Sequence, residues 1–375
     1  MIFEKLRLVN FRNYRDVVVP FSPRVNVFVG ENGQGKTNLL EAMYLISQGD
    51  SFRYSDNRTL INSNNQEALI QALITQNDLH YKLKLGLSKS RKVLTLNDKK
   101  VSSADVRKIF ASVVFSPESL ASIKEGADYR RELVDDLLIT FDRKNADLIA
   151  EYRKALKTRN KFLKNYLEGL TTLTVTQDLL NSLNPQFLRL AADLSYARIT
   201  ALAGLSKDFN NAMQYISKNE AVDISVEYVI SDQNAVKFSR EEVHFALQKR
   251  MSELHDAELS SGSSLVGPHK HDIVFLYGQK DSRFYCSQGQ QRAIILSFKM
   301  AQIVYHRKAH GTYPVLMLDD VLSELDKAKR DALITFLHEI NTQIFVTTTD
   351  FTLPDSFSLD QLSVLRIKDG HILDE

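Results

Sequence analysis

The chain is poor in residues on which several classes of protein depend. Cys286 is the only cysteine among 375 residues, which excludes an intramolecular disulfide and a zinc site built of cysteines. There is no tryptophan, and there are only 14 glycines. Lysine and arginine number 48 against 46 aspartates and glutamates, so the formal net charge is only +2. Any contact with nucleic acid must therefore come from a local basic patch rather than from the field of the whole protein.

Long apolar runs are also missing. No uncharged stretch approaches the roughly 18 residues that a membrane helix needs. The first eight residues, MIFEKLRL, carry charges where a signal peptide has its apolar stretch. We therefore expect a cytoplasmic protein with no membrane partner. The composition, 43% hydrophobic and 25% charged, is typical of globular proteins, and the length indicates two domains or one domain with a large insertion.

The spacing of apolar residues changes along the chain. The first 50 residues indicate two strands, a glycine-rich turn and a helix, and residues 68–101 alternate as in a half-exposed antiparallel sheet. Between residues 148 and 201, apolar residues recur every three or four positions, which predicts two helices in an antiparallel hairpin. Strand–helix–strand patterning returns near residue 265. We predict an α/β fold formed by residues 1–117 and 265–375 and interrupted by a mainly helical domain, residues 118–264.

The most specific motif is GENGQGKT at residues 30–37, which matches the phosphate-binding pattern G-x-x-x-x-G-K-[ST]. Glycines allow backbone N–H groups to surround phosphates, while Lys36 neutralises their charge and the Thr37 hydroxyl binds Mg²⁺. A β-rich run precedes the motif and an apolar helix follows it. A glycine turn without a ligand is the alternative. The predicted nucleotide-binding residues in this motif and directly after it are Gly30, Glu31, Asn32, Gly33, Gln34, Gly35, Lys36, Thr37 and Asn38.

A second motif is the pair Asp319-Asp320, which follows the apolar run 315–318. Nucleotide-binding α/β folds place the acid for Mg²⁺ at the end of such a buried strand. We expect Asp319 to hold the metal, directly or through water. Asp320 is the candidate catalytic residue that orients or deprotonates the attacking water. The alternative is that the pair caps the next helix.

A third motif, Ser287-Gln-Gly-Gln-Gln, lies between a strand-like segment, residues 283–286, and an apolar helix. Ser287 is predicted to cap this helix, whose free N–H groups and dipole would then form an anion site. A capped turn without a ligand is the alternative.

These motifs, in this order, resemble an ABC-type ATPase head, with Ser287-Gln-Gly-Gln-Gln as the signature motif. Longer blocks are similar to those of the RecF family, bacterial recombination proteins of the SMC-like group. The blocks are LVNFRNY (8–14), residues 30–42, SFR (51–53), FSPE (115–118), LVGPH (265–269), SQGQQR (287–292), DDVLSELD (319–326) and VTTTD (346–350).

The resemblance implies an ATPase head with a mixed sheet and a phosphate loop, and a protein that uses ATP and Mg²⁺. Such proteins form a homodimer on binding ATP, hydrolyse it slowly, bind gapped or junction DNA, and promote recombinase loading with RecR- and RecO-type mediators. The resemblance also implies roles for single residues. The γ-phosphate held by the other subunit would be contacted by Ser287, Gly289 and Gln290, with Gln288 beside them. Arg12 would approach the nucleotide, and Glu118 would couple the nucleotide to the helical domain. Asp326 would communicate across the dimer.

A local basic patch is present on the first predicted helix. Residues 151–170 contain six basic side chains against two acidic ones. Lys154, Lys157, Lys161 and Lys164 are spaced 3, 4 and 3 positions apart and share one helix face. Such a stripe can follow phosphates along DNA, although a solvated helix face has the same pattern.

Two other functions fit the motifs. A nucleotide-binding subunit of a membrane transporter is one, but roughly 280 positions separate Lys36 from Asp319, more than such subunits normally have. A non-catalytic scaffold that ATP merely stabilises is the other. Turnover stimulated by DNA would distinguish a weak ATPase from this scaffold.

Overall fold

The computed structural model describes residues 1–53, 55–218, 223–349 and 362–373. The chain forms two compact units. The first unit comprises Met1–Ala121, Asn211–Ala221 and Ser287–Glu375, and the second unit comprises Ser122–Asn210 and Val222–Cys286. Asp350, the last residue of the VTTTD block, lies outside the described residues.

Strands and helices are both distributed along the chain. The strands are β1 (Ile2–Phe11), β2 (Tyr14–Pro20), β3 (Val25–Val29), β4 (Glu67–Gln76), β5 (Leu79–Ser88), β6 (Arg91–Leu96), β7 (Lys99–Val101), β8 (Ser112–Phe115), β9 (Ile224–Ile230), β10 (Gln233–Asn234), β11 (Asp272–Tyr277), β12 (Lys280–Asp281), β13 (Val315–Leu318), β14 (Ile344–Thr348), β15 (Leu362–Lys368) and β16 (His371–Leu373). The helices are α1 (Lys36–Gln48), α2 (Asn57–Leu60), α3 (Ser103–Ile109), α4 (Pro117–Leu120), α5 (Ala127–Phe141), α6 (Asn145–Leu167), α7 (Leu173–Ser217), α8 (Arg240–Glu253), α9 (His255–Ser261), α10 (Ser282–Tyr285), α11 (Gln288–His310), α12 (Val321–Glu324) and α13 (Lys327–Glu339).

One sheet of the first unit is antiparallel, in the order β2-β1-β4-β5-β6-β7. Leu83, Leu85 and Leu87 of β5 alternate with more exposed residues, and all three are buried in the core that also contains the apolar side of α1. The antiparallel pairing of β4 to β7 confirms the interpretation of residues 68–101.

The other sheet of the first unit is mixed, in the order β16-β15-β3-β14-β13-β8. All its pairs are parallel except β15 with β16. The four residues of β13 are fully buried, as the apolar run predicts. Since the carboxyl ends of parallel strands meet at one sheet edge, the segments after β3, β8 and β13 are brought to the same place.

The second unit contains helices α5, α6, α8, α9 and α10, most of α7, and the antiparallel sheet β10-β9-β11-β12. The predicted hairpin corresponds to α6 and α7, and α7 is 45 residues long. The apolar seam predicted for the first arm ends earlier than expected: Leu170 lies beyond α6 and is 69% exposed. Arg159, the polar member of this seam, is 1% exposed because Glu258 pairs with it inside the unit.

The bounds of the units differ from the predicted ones. Residues 265–286 were assigned to the α/β domain, but they belong to the second unit because β11 pairs with β9 over six positions. At the other end, α4 packs with α11 and β8, so the first unit extends to Ala121 rather than to residue 117. The predicted strand at 283–286 is also wrong, because Ser282–Tyr285 forms the short helix α10. Within the described residues, no helix combines the length and apolar character needed to cross a bilayer.

Candidate nucleotide site

The GENGQGKT motif forms the loop between β3 and α1, where the sequence predicts it. Gly35 has φ 117° and caps α1, a conformation that glycine adopts without steric cost. A Cβ on Gly30 would lie 2.3 Å from the carbonyl oxygen of Ile367, so this position has no room for a side chain. Glu31, Asn32 and Gly33 are exposed at the open side of the loop.

Lys36 turns back into the loop. Its Nζ donates to the carbonyl oxygens of Gly30, at 2.7 Å, and Glu31, at 3.0 Å, and the residue is only 4% exposed. An ammonium group has three N–H donors, so one remains for a phosphate oxygen. The two carbonyl oxygens of the loop thus hold the Lys36 side chain in position.

Gln34 ties the loop to two turns that the sequence did not associate with it. Its carbonyl oxygen accepts from Asn13 Nδ2 at 2.9 Å and from the backbone N–H of Gly370 at 3.0 Å. Its Oε1 accepts from the backbone N–H of Asp369 at 2.6 Å. Asn13 also accepts from Asn38 Nδ2 at 2.8 Å. The β1–β2 and β15–β16 turns therefore hold the phosphate loop in shape.

Thr37 and Asp319 meet at the edge of the mixed sheet. Thr37 Oγ1 donates to Asp319 Oδ1 at 2.8 Å, and Thr347 Oγ1 donates to the same oxygen at 2.9 Å. Leu318 is paired with Val346 in the parallel register, which places Asp319 level with Thr347. Burial raises the pKa of Asp319 to about 6, while the two hydroxyls oppose that rise. Thr347 is a site residue that sequence reasoning missed.

Asp320 follows in a left-handed conformation, φ 48°, which is uncommon for a residue other than glycine. Its backbone N–H donates to Thr347 Oγ1 at 2.8 Å, and its carbonyl oxygen accepts from Ser323 Oγ at 2.6 Å. Asp319 and Asp320 are thus fixed through the same threonine. Asp320 is also the N-terminal cap residue of α12, but its side chain makes no capping hydrogen bond. The capping alternative for the pair therefore does not account for this carboxylate.

Glu118 supplies a third carboxylate. Its Oε2 is buried and has no hydrogen-bond partner among the described residues. Asp320 and Glu118 both act electrostatically to raise the pKa of Asp319. A cation would relieve this repulsion, so the residues present fit Mg²⁺. Among the described residues no set of three or more His, Cys, Asp or Glu side chains is arranged to hold a metal ion. Hydroxyl, carboxylate, water and phosphate oxygens are the ligands that Mg²⁺ prefers, and Thr37 and Asp319 would supply the protein's share.

Ser287 caps α11, as predicted. Its Oγ accepts from the backbone N–H of Gln290 at 3.3 Å, and Gln290 Oε1 accepts from the backbone N–H of Ser287 at 2.9 Å. Within the described residues, the Ser287 hydroxyl hydrogen and the Gln290 amide hydrogens have no acceptor and can donate to a ligand. Ser287 and Gln288 are exposed, so this helix end can meet a ligand from outside the chain.

Lys329 is a cation beside this helix end that the sequence reading did not identify. A Cβ on Gly289 would lie 3.7 Å from Lys329 Nζ. Lys329 Nζ is paired with Asp326, which also caps α13 by accepting from the backbone N–H of Lys329 at 3.0 Å. In this structure Asp326 therefore has a local structural partner; its role between subunits stays a prediction.

Arg12 is anchored by groups outside the phosphate loop. Its guanidinium donates to both carboxylate oxygens of the fully buried Glu41, at 2.9 and 2.8 Å. It also donates to Ser55 Oγ at 2.5 Å and to the Thr59 carbonyl oxygen at 2.9 Å. None of these partners belongs to the phosphate loop, so the contact of Arg12 with a nucleotide stays a prediction.

The four predicted DNA-contacting lysines lie on α6. The opposite face of the helix carries the buried residues Tyr152, Ala155, Arg159 and Leu163, so the lysines project from the second unit. One of these lysines, Lys164, forms an ion pair with Glu168, with 3.5 Å between the charged atoms. All four lysines, Lys154, Lys157, Lys161 and Lys164, lie on the accessible side of the helix.

Comparison with known proteins identifies the family. A family model described as RecF/RecN/SMC N terminal domain matches residues 2–366. A DNA replication and repair protein RecF from Halothermothrix orenii is 33% identical over 377 residues, covering 99% of this chain and 98% of its own length. A RecF from Lactobacillus acidophilus is 34% identical, with 93% of this chain and 92% of its own length covered. The chain belongs to the RecF family.

Solved structures confirm the predicted fold class. The recombination mediator protein RecF-ATP in the RecFOR pathway aligns with a TM-score of 0.84 and 29% identity over 99% of this chain and 98% of that chain. The Smc head of Pyrococcus furiosus bound to the C-terminal domain of ScpA aligns at a TM-score of 0.52 and 16% identity, over 99% of this chain and 95% of that chain, a likeness of fold alone. This RecF-family chain therefore has the α/β architecture of RecF and SMC ATPase heads.

Proposed function

We propose that this RecF-family protein is a cytoplasmic, ATP-dependent DNA-binding protein of replication and recombinational repair. The observation that carries the proposal is the meeting of Thr37 with Asp319, because it joins the phosphate loop to the metal-binding acid at one sheet edge. Family membership supports the same function, since two relatives are named DNA replication and repair protein RecF and a solved relative is described as RecF-ATP.

In this proposal the loop binds the ATP phosphates through its backbone N–H groups and Lys36. Thr37 and Asp319 would hold Mg²⁺, which would neutralise phosphate charge, and Asp320 orients the attacking water. Hydrolysis is slow, because the remaining contacts come from a second subunit. Asp320 is also one methylene shorter than the glutamate that many ABC-type ATPases have at this position.

Ser287, Gln288, Gly289 and Gln290 supply those remaining contacts across an ATP-dependent homodimer. Support comes from the exposed end of α11. Within the described residues, Ser287 and Gln290 have hydrogen-bond donors without an acceptor there, and Lys329 lies beside Gly289. Two chains then enclose two nucleotides, and the state of the nucleotide controls DNA binding. Glu118 and Asp326 would transmit that state within and between subunits.

The DNA partner is a gapped or junction duplex, and the lysine stripe on α6 contributes phosphate contacts. RecR- and RecO-type mediators are the proposed protein partners, because the solved relative is assigned to the RecFOR pathway. The outcome of this assembly is recombinase loading. Charge reversal at Lys157 and Lys161 should weaken DNA binding and lower its salt dependence.

Fluorescence anisotropy of a labelled gapped duplex tests the proposal. The protein is titrated with ATP, with ADP and without nucleotide, and Lys36→Ala is measured in parallel. Tight binding with ATP only, lost in Lys36→Ala, is the expected result. Binding that ignores the nucleotide would refute the ATP control, and no binding under any condition would favour a scaffold or a transporter subunit.

A further inference from the structure

Two aromatic side chains of the second unit are unusually exposed. Phe284 is 77% exposed and Tyr285 is 68% exposed, and they are adjacent on α10. Phe284 has the highest exposed fraction among the large hydrophobic side chains of the described residues. Single exposed apolar residues are ordinary, but two consecutive exposed rings offer two separate faces on which flat groups can stack.

Each ring has a cation next to it. Lys280 Nζ is 5.6 Å from the centroid of the Tyr285 ring, and Arg283 Cζ is 5.4 Å from that of Phe284. These distances lie within the range of cation–π attraction. Lys280 is exposed and makes no ion pair among the described residues, so its ammonium can bind an anion without first breaking a salt bridge.

The backbone of α10 and the Arg283 side chain are held in place. Asp281 caps α10 by accepting from the backbone N–H of Arg283 at 2.9 Å. The Arg283 guanidinium donates to Asp281 and, at 2.9 Å, to Asp272 Oδ2. Lys280 is paired with Tyr277 between β12 and β11. Because the backbone that carries the rings is already ordered, binding a partner there needs no further ordering of the chain.

The chemistry of this surface favours nucleic acid over protein. Bases of any sequence stack on exposed aromatic rings, and adjacent lysines and arginines bind the connecting phosphates. An apolar protein partner would instead need an extended apolar surface, whereas the neighbours of these rings are Lys280, Asp281 and Arg283. We propose that Phe284 and Tyr285 form a stacking platform for unpaired bases of single-stranded DNA, with Lys280 binding a phosphate. This inference rests on the proposed function and adds a site for the single-stranded part of a gap.

The absence of tryptophan allows a direct test in the full-length protein. Tyr285→Trp gives the chain one tryptophan, and a stacked base quenches its fluorescence. Phe245→Trp is the matched control, because Phe245 is also 68% exposed and lies on α8 of the same unit. Oligo(dT) and a gapped duplex should quench Tyr285→Trp, while an uninterrupted duplex should not, and Phe245→Trp should respond to none of them.

A second measurement gives the energetic effect. Phe284→Ser with Tyr285→Ser should lower the affinity for the gapped duplex by about tenfold, since both rings on which bases would stack are removed. Affinity for an uninterrupted duplex should be unchanged in that variant, and Lys280→Ala should weaken only the gapped complex. Equal loss on both DNAs would overturn the platform.

The outcomes also separate this inference from the proposed function. If Tyr285→Trp binds gapped DNA with ATP but its fluorescence does not change, the platform is wrong and the proposed function stands. A fluorescence change that depends on protein concentration without DNA would show that a second copy covers the rings, which overturns the platform as well. If the unmodified protein binds no DNA with any nucleotide, both proposals fail.

Discussion

Thr37 Oγ1 lies 2.8 Å from Asp319 Oδ1, a hydrogen bond between residues 282 positions apart. The bond joins the first turn of α1 to the end of β13, so the phosphate loop and the acidic pair form one site. Thr347 donates to the same carboxylate oxygen from the neighbouring strand. Two hydroxyl donors and burial thus fix the acid before any nucleotide arrives.

Asp319→Asn should separate metal binding from nucleotide binding. The amide keeps the size of the side chain but removes the charge that would hold Mg²⁺. We expect the Mg²⁺ concentration needed for half-maximal ATP binding to rise about tenfold or more, with binding in excess EDTA little changed. Titration of a fluorescent ATP analogue with Mg²⁺ measures this.

Asp320→Asn is the matched control. It should keep Mg²⁺-dependent ATP binding and lose phosphate release, because its proposed role concerns the attacking water. If Asp319→Asn bound Mg·ATP as the unmodified protein does, Asp319 would not be the metal-binding acid.

Lys329→Met should weaken dimerisation and spare nucleotide binding by the monomer. The substitution removes the cation beside Gly289 and leaves the Asp326 carboxylate without that partner, which disfavours an incoming phosphate. We expect about a tenfold weaker ATP-dependent dimer by analytical ultracentrifugation. Lys327→Met, an exposed lysine on the same helix, is the control that should have no such effect. Equal dimer affinity for the two variants would count against a role for Lys329.

Glu258→Ala should destabilise the second unit strongly. Glu258 accepts two hydrogen bonds from Arg159, at 2.8 and 2.7 Å, and both side chains are 1% exposed. Removing one partner leaves a buried charge, which costs about 3–5 kcal/mol. Urea unfolding followed by circular dichroism gives the change.

The control is Glu168→Ala, which breaks the exposed pair with Lys164. That pair contributes about 0.5 kcal/mol or less, so the unfolding midpoint should hardly move. Similar shifts for the two variants would show that the buried pair is not a major source of stability.

His269 should make the stability of the second unit sensitive to acid. His269 Nε2 lies 3.0 Å from the Ser264 carbonyl oxygen, which only accepts, so Nδ1 accepts from the Tyr152 hydroxyl at 2.6 Å. Burial lowers the pKa of His269 to about 4. Other charged or titratable groups near it are Lys270, Arg131, Glu258 and His271.

Acid destabilises the folded protein because His269 takes up a proton on unfolding. The unfolded histidine, with a pKa near 6.5, binds a proton that the folded one does not, so stability is complete above pH 6.5 and falls as the pH drops towards 4. The slope from this one group is at most about 1.4 kcal/mol per pH unit. His269→Gln should flatten the pH dependence of the urea midpoint in this range. Tyr152→Phe, which keeps the imidazole, should leave most of that dependence in place, and an unchanged slope in His269→Gln would refute the assignment.

Local sequence signals predicted much of the site. The loop glycines, the four apolar residues of β13 and the Ser287 cap each depend on neighbours within a few positions, and the structure has each of them where expected. Thr347 could not be found in this way, because its role depends on the register of two parallel strands. The support of Gln34 by Asp369 likewise joins residues 335 positions apart.

Two predictions were wrong, each for a different reason. Residues 283–286 were expected to form a strand because Phe284 and Tyr285 favour strands, but the Asp281 cap starts a helix and leaves both rings exposed. The boundary near residue 265 was wrong because β11 pairs with β9, and no local pattern specifies which strands pair.

The central claim is that ATP joins two chains through the signature residues. Light-scattering mass measurement of the full-length protein with ATP, with ADP and without nucleotide tests it most directly. The mass should double with ATP alone, and Ser287→Arg should bind ATP yet keep the mass of one chain. A single-chain mass at saturating ATP, or an ATP-induced dimer of Ser287→Arg, would contradict the account.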